Sequence, residues 1–157
     1  MKKFSFFAMI AAVAASFATP AMAADPTFTG ARIEVTAGVD DVTNARGTSD
    51  ITYGAAVGLD APVFGDVAVL GVEASVDNVF ERKDVAASVR LGIPAGRVLP
   101  YVKAGYANFR DLNGVRVGGG LEYAVTNNLY SKAEYRYSDL ENGVGRHQAL
   151  VGLGIRF

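Results

Sequence analysis

Apolar and polar residues alternate along most of the chain beyond its first 23 residues. Because successive side chains of a β-strand point to opposite faces, a two-residue period predicts strands with one apolar face. In the first such segment, Ile33 and Val35 alternate with Arg32 and Glu34. Eight segments follow this pattern: 31–39, 51–59, 68–76, 85–93, 102–106, 115–123, 129–138 and 148–157. The chain is therefore predicted to be all-β.

The two faces of these predicted strands differ in charge. One face has 38 positions without a charged residue, and only Gly119 and Ser131 among them are neither apolar nor aromatic. The other face has ten of the 18 glycines and eleven charged residues: Arg32, Glu34, Glu73, Arg90, Lys103, Arg116, Glu122, Lys132, Glu134, Arg136 and Arg156. Glycine weakens strands, but a narrow interior crossed by long charged side chains gives it a packing role. This favours a membrane barrel with a charged interior over a lipocalin-type barrel with an apolar interior.

Aromatic residues on the apolar face lie toward the ends of the predicted strands, as the interfacial belts of a membrane barrel require. We predict Tyr53, Tyr106, Tyr135 and Tyr137 at the outer rim and Tyr123 and Phe157 at the inner rim. Turn-forming residues suggest outer loops at 40–50, 77–84, 108–114 and 138–146 and inner turns at 60–66, 94–100 and 126–128. The pattern predicts an eight-stranded antiparallel up-and-down transmembrane β-barrel with both chain ends in the periplasm.

The start of the chain has a different pattern. Two lysines precede an apolar run at 4–17, and Ala21 and Ala23 supply the small residues of a signal-peptidase site. A run of 14 residues is shorter than the roughly 20 that a spanning helix needs, which favours cleavage over a retained anchor. We therefore predict a cleaved signal peptide at 1–23 and an outer-membrane β-barrel domain at 24–157.

The composition excludes several function classes. The 157 residues include 15 Lys and Arg, 16 Asp and Glu, one His and no Cys. Without cysteine there is no disulfide or thiolate metal site, and a single histidine cannot form a histidine cluster, so we predict no cofactor and no metal. The near-neutral charge argues against nucleic acid, whose phosphates need several cations.

The last strand resembles the β-signal that delivers outer-membrane barrels to the bacterial insertion machinery. Gly152, Ile155 and Phe157 have the spacing of that signal, although Leu150 stands where a polar residue is usual. Together with the run at 135–140 before the last hairpin, these residues make the chain similar to small porin-like, opacity-type surface proteins of Gram-negative bacteria, the OmpA/OmpX-like barrels.

This resemblance implies a location in the outer membrane and a structural or surface role. The expected partners are outer-membrane lipids, lipopolysaccharide and the barrel-insertion machinery, and a monomer is favoured. Charges in the predicted outer loops could bridge lipopolysaccharide phosphates, although a solvated rim is the simpler interpretation of them.

The eleven interior charges leave two interpretations open. Eight strands enclose a space that side chains can fill, so the charges could pair and plug it; we expect Arg32 or Arg156 with Glu34, and Glu122 with Lys132 or Arg136. Alternatively, a narrow water-filled pore would favour small anions, because seven of the eleven charges are cations. The plug is favoured.

A lipid-modifying enzyme is a third and weaker hypothesis. Such an enzyme needs a nucleophile near a base, and His147 is the only histidine. Alternation places His147 on the lipid-facing side and Ser138, the hydroxyl nearest across the hairpin, on the opposite face. We predict no catalytic residues and no enzyme.

Overall fold

A computed structural model describes residues 28–42, 49–79, 82–109 and 112–157 of the chain. The predicted signal peptide and its cleavage residues, Ala21 and Ala23, lie outside these residues. Eight strands follow one another: β1 Gly30–Val42, β2 Ser49–Val63, β3 Ala68–Val79, β4 Arg82–Gly92, β5 Val98–Phe109, β6 Leu112–Ala124, β7 Leu129–Leu140 and β8 Val144–Arg156. A short 3-10 helix, Glu141–Gly143, joins the last two strands.

Each strand pairs antiparallel with the next, and β8 pairs antiparallel with β1 to close the barrel. The predicted eight-stranded antiparallel barrel is thus confirmed. The turns 64–67, 93–97 and 125–128 lie at the same end as Phe28 and Phe157, and we call this the inner end. The opposite end is the outer end. None of the helices within the described segments is long and apolar enough to cross a membrane.

The strands extend beyond the segments that alternation identified. The β3–β4 ladder continues to the pair Val79 and Arg82, and β5 begins at Val98 rather than at 102. Outer connections are correspondingly shorter than predicted, because ladder hydrogen bonds continue where outward-facing residues are no longer apolar. Residues 43–48, 80–81 and 110–111 of these connections lie outside the described part of the chain.

The side chains of the predicted apolar face point out of the barrel. Val35, Val102 and Leu121 are between 54% and 63% exposed, whereas Glu34 and Glu122 on the alternate positions are buried. Ala68 and Ser131 depart from this pattern, since both are buried. Each is small and stands beside larger residues of the neighbouring strands. The barrel is therefore apolar outside and charged inside, the reverse of a lipocalin-type barrel.

Apolar clusters lie toward both ends of the barrel. At the inner end, Phe28 packs with Val69, Leu99 and Ala124, and all four are buried. At the outer end, Leu140 is buried against Leu112 and Val144. The interior between them is predominantly polar.

Candidate functional site: the charged barrel interior

All eleven charged residues assigned to the interior face are buried in the structure. Their exposed fractions are 5% or less: Arg32, Glu34, Glu73, Arg90, Lys103, Arg116, Glu122, Lys132, Glu134, Arg136 and Arg156. They come from seven of the eight strands, and the barrel curvature brings their side chains together across the interior.

Five further charged residues, which the sequence interpretation placed in loops or turns, are buried in the interior. Asp40, Asp77, Asp84 and Arg146 were assigned to solvated outer loops and Asp60 to an inner turn, and those assignments are wrong. Each lies within a strand that is longer than predicted. Their even spacing from known interior positions was the available clue, because strand alternation continues past the last apolar residue.

These additions change the charge balance. The described residues contain eight buried cations and eight buried anions, whereas the sequence interpretation counted seven and four. The cation excess that would favour anions in a pore is therefore absent from the described interior. Every one of the sixteen charges lies within 4.0 Å of an opposite charge, and the contacts form one connected network.

Asp60 is the centre of the inner third of this network. Its Oδ2 lies 3.0 Å from Arg32 Nε, 2.6 Å from Arg90 Nη2 and 3.5 Å from Arg156 Nη2. Glu122 bridges two of the same arginines, contacting Arg90 and, at 2.8 Å, Arg156 Nη2. Three cations from three strands are thus held by two carboxylates.

The middle third contains both interior lysines. Glu73 accepts from Arg32 at 2.8 Å and from Lys103 at 2.7 Å. Lys103 Nζ also lies 2.8 Å from Glu134, and Lys132 contacts Glu134 at 3.2 Å. Lys132 further contacts Glu34, and Arg136 contacts Glu134. The lysines therefore link carboxylates of non-adjacent strands.

In the outer third, arginines and aspartates alternate. Asp84 contacts both Arg116 and Arg146, and Arg146 also contacts Asp40. Asp77 Oδ2 lies 2.8 Å from Arg136 Nη1 and 3.9 Å from Arg116 Nη1. All five of these pairings involve at least one residue that the sequence interpretation placed in a loop.

Only one of the expected pairings is observed. Arg32 does pair with Glu34, at 2.9 Å. Arg156 pairs with Glu122 and Asp60 instead of Glu34, and Glu122 pairs with Arg90 instead of Lys132 or Arg136. Sequence alternation identifies the face of a residue, whereas these contacts depend on which side chains meet across the barrel.

Two interior tyrosines join the network and explain part of the glycine content. The hydroxyls of Tyr101 and Tyr130 donate to Glu134 at 2.5 Å and to Glu34 at 2.8 Å. Tyr101 pairs across the ladder with Gly120, and Tyr130 with Gly154. A Cβ at Gly154 would overlap the Tyr130 ring, and one at Gly120 would meet the Ala133 carbonyl oxygen first and would lie 2.8 Å from the Tyr101 hydroxyl oxygen. Glycine therefore makes room for the rings.

The residues assigned to aromatic belts lie on the outside of the barrel. Tyr53, Tyr106, Tyr135 and Phe157 are more than half exposed, and Tyr123 and Tyr137 are half-buried. Of the insertion-signal residues, Gly152 and Ile155 lie in the inner half of β8, where Ile155 pairs with Ile33 of β1, and Phe157 directly follows the strand. The backbone N–H of Phe157 donates to Ala31 O at 2.8 Å.

His147 is half-buried on the outward side near the outer end. Its Nδ1 lies 2.5 Å from the Tyr135 hydroxyl, and its ring centroid lies 4.8 Å from that of Tyr137. Ser138 faces the interior, where its hydroxyl accepts from Arg116 Nε at 2.9 Å. The structure thus brings tyrosines to the histidine and keeps Ser138 on the other face. The described residues contain no cluster of three His, Asp or Glu able to hold a metal ion.

Comparison with known proteins gives three kinds of match. The family model for the outer membrane protein β-barrel domain matches residues 9–157. The 25 kDa outer-membrane immunogenic protein of Brucella ovis is 32% identical over 80 residues, which cover 43% of this chain and 40% of that protein. The chain therefore spans less than half the length of this relative.

Solved structures with the same fold include proteins of different function. Neisserial surface protein A is 17% identical, with a TM-score of 0.60 over 82% of this chain and 98% of that one. The outer membrane enzyme PagL is 14% identical, with a TM-score of 0.52 over 79% of this chain and 99% of that one. At these identities the similarity shows the fold alone.

Proposed function

Since the chain belongs to the family of outer membrane protein β-barrel domains, we propose that it serves as a closed, non-conducting structural and surface protein. It is a protein of the bacterial outer membrane. The ion-pair network supports the proposal that the barrel interior carries no solute.

The balanced burial of the interior charges is the observation that carries this proposal. The side chains of the paired residues are at most 4% exposed, so almost none of their surface is open to water. An ion crossing the barrel would have to separate these pairs, and breaking a single buried pair costs about 3–5 kcal/mol. Equal numbers of both signs also leave no net charge in the interior that would favour ions of one sign.

Ion conductance across a planar bilayer tests the proposal. The chain from Ala24 to Phe157 is refolded, and a heat-dependent shift in gel mobility verifies the folded barrel. We expect no discrete current steps, while a general porin inserted into the same bilayers gives steps and shows that the assay responds. Reproducible steps from the verified barrel would overturn the proposal and favour a narrow channel.

We further propose that the barrel is not an enzyme. The support comes from His147, whose Nδ1 is engaged by the Tyr135 hydroxyl, and from Ser138, which faces the interior. Incubation of the refolded barrel with labelled outer-membrane lipids should release no product above that of detergent alone. Lipid turnover that disappears in His147→Ala would contradict this proposal.

A further inference from the structure

The outward wall of β2–β5 contains an apolar groove with a volume of about 730 Å³. Its floor is formed by three alanines on adjacent strands, Ala74, Ala87 and Ala104. Val57 and Tyr106 form its sides, since Val57 pairs with Ala74 and Tyr106 pairs with Ala87 across the ladders. The small floor residues between larger ones produce a concave strip on the outward wall of the barrel.

The outer end of this wall becomes polar and basic. On the face of the groove, Val76 and Val85 pair beyond Ala74 and Ala87, and Asn78 and Lys83 pair beyond them. Lys83 is exposed and lies four residues from Ala87, or about 13 Å along the strand. The Asn78 amide donates to the hydroxyl of Tyr53, which is also on this face. The strip thus runs from hydrocarbon depth to an amide and an ammonium group.

Among the side chains that the structure describes, the exposed charges on the opposite side of the outer rim are negative. Asp41, Asp139 and Glu141 are exposed on the side formed by β1, β7 and the turn before β8. An anionic headgroup is therefore repelled there and attracted near Lys83, because charges at the membrane interface act over about a Debye length. The groove lies on the side of the rim that favours an anion.

We propose that this groove binds one acyl chain of lipopolysaccharide, with a phosphate of its lipid A part beside Lys83. The groove supplies an apolar channel for the chain, and the amide and ammonium groups supply donors for the phosphate. The proposal rests on the proposed role in the outer membrane and on the predicted orientation with both chain ends in the periplasm, in which the outer end faces the leaflet that contains lipopolysaccharide. It does not depend on whether the interior conducts.

Native mass spectrometry of the refolded barrel in detergent tests this binding. Diphosphorylated lipid A, phosphatidylglycerol and phosphatidylethanolamine are added separately. Ala87→Leu fills the floor of the groove, and Lys83→Gln removes the charge. Ala133→Leu is the matched control, because Ala133 is an exposed outward alanine on β7, between Leu121 and Val151 and away from the groove. Gel mobility verifies that each variant is folded.

We expect lipid A to remain bound to the unchanged barrel and to Ala133→Leu in preference to both phospholipids. Lys83→Gln should weaken lipid A binding about fivefold, which is the loss of affinity expected when one cation near an anionic interface is removed. Ala87→Leu should weaken lipid A binding at least as much. Equal binding by all variants, or equal binding of phosphatidylethanolamine, would overturn the proposal. So would a dimer that Ala87→Leu dissociates, because the groove would then bind a second copy of this chain. Conductance would remain absent in each case if the proposed function holds.

Discussion

Asp60 and Arg90 show how a charge becomes tolerable inside the barrel. Arg90 donates from Nε to Oδ1 at 2.9 Å and from Nη2 to Oδ2 at 2.6 Å, the two-pronged geometry that makes arginine–carboxylate pairs strong. The ring of Tyr101 lies 5.1 Å from the guanidinium carbon and covers it. The free-energy cost of removing both charges from water is offset because all three nitrogens of the Arg90 guanidinium donate to carboxylates.

Glu122 tests this dependence on pairing. In Glu122→Ala, Arg90 and Arg156 each lose a buried carboxylate partner, so the free energy of unfolding should fall by about 3–5 kcal/mol. The measurement is urea unfolding in lipid vesicles, followed by far-ultraviolet circular dichroism. Asp41→Ala, an exposed rim change, is the control and should stay within about 0.5 kcal/mol of the unchanged protein. An unaltered midpoint for Glu122→Ala would show that the pairs do not stabilise the barrel.

Gly154 tests whether interior glycines make room for aromatic rings. Gly154→Ala places a methyl group within the space of the Tyr130 ring and should destabilise the barrel by about 1–3 kcal/mol. In a Tyr130→Leu background the same change should cost much less, because the overlapping ring atoms are gone. The double-mutant cycle is measured by the same unfolding assay. An equal cost in both backgrounds would mean that Gly154 is required for another reason.

At the scale of the strands, alternation located all eight elements and their faces, but not their ends. The pattern fades at the outer ends because outward positions there hold polar residues such as Asn78 and Lys83, although the ladder continues. It fades at the start of β5 because Leu99 and Tyr101 are apolar or aromatic interior residues. The interior aspartates were missed because they lie near strand ends, beyond the segments in which apolar and polar residues alternate. The pairings were beyond sequence reasoning, because Glu122 on β6 meets Arg90 on β4, two strands away.

Substitution of Phe157 tests whether the end of the chain acts in assembly of the barrel rather than in its stability. The Phe157 side chain is 72% exposed, so Phe157→Ala should leave the unfolding free energy of refolded protein within about 0.5 kcal/mol. If Phe157 belongs to the insertion signal, the amount of heat-modifiable barrel in cell outer membranes should fall severalfold. Leu153→Ala is the matched control, since Leu153 is also exposed on β8 and lies outside the signal. Equal yields for both variants would contradict the assignment of the signal.

At the scale of the whole molecule, the barrel has an apolar exterior and a charge-balanced interior with apolar clusters toward both ends. The sixteen interior charges sum to zero among the described residues, so the interior has no net charge that would favour one sign of ion. Phe28 contributes to the inner cluster and its ring also lies 5.6 Å from the guanidinium carbon of Arg156. Phe28, two residues before the start of β1, therefore joins the apolar cluster to the ion-pair network.

Thiol accessibility inside the barrel tests the closed interior most directly. The chain contains no cysteine, so Ser75→Cys places a single thiol at a buried interior position of β3. Asp139→Cys places one at the exposed rim. Labelling by a small, charged, membrane-impermeant thiol reagent is followed by mass spectrometry in the folded barrel and after unfolding. We predict rapid labelling of the rim cysteine, no labelling of the Ser75→Cys barrel while it is folded, and full labelling after unfolding; labelling of the folded Ser75→Cys barrel at the rate of the rim cysteine would contradict a closed interior.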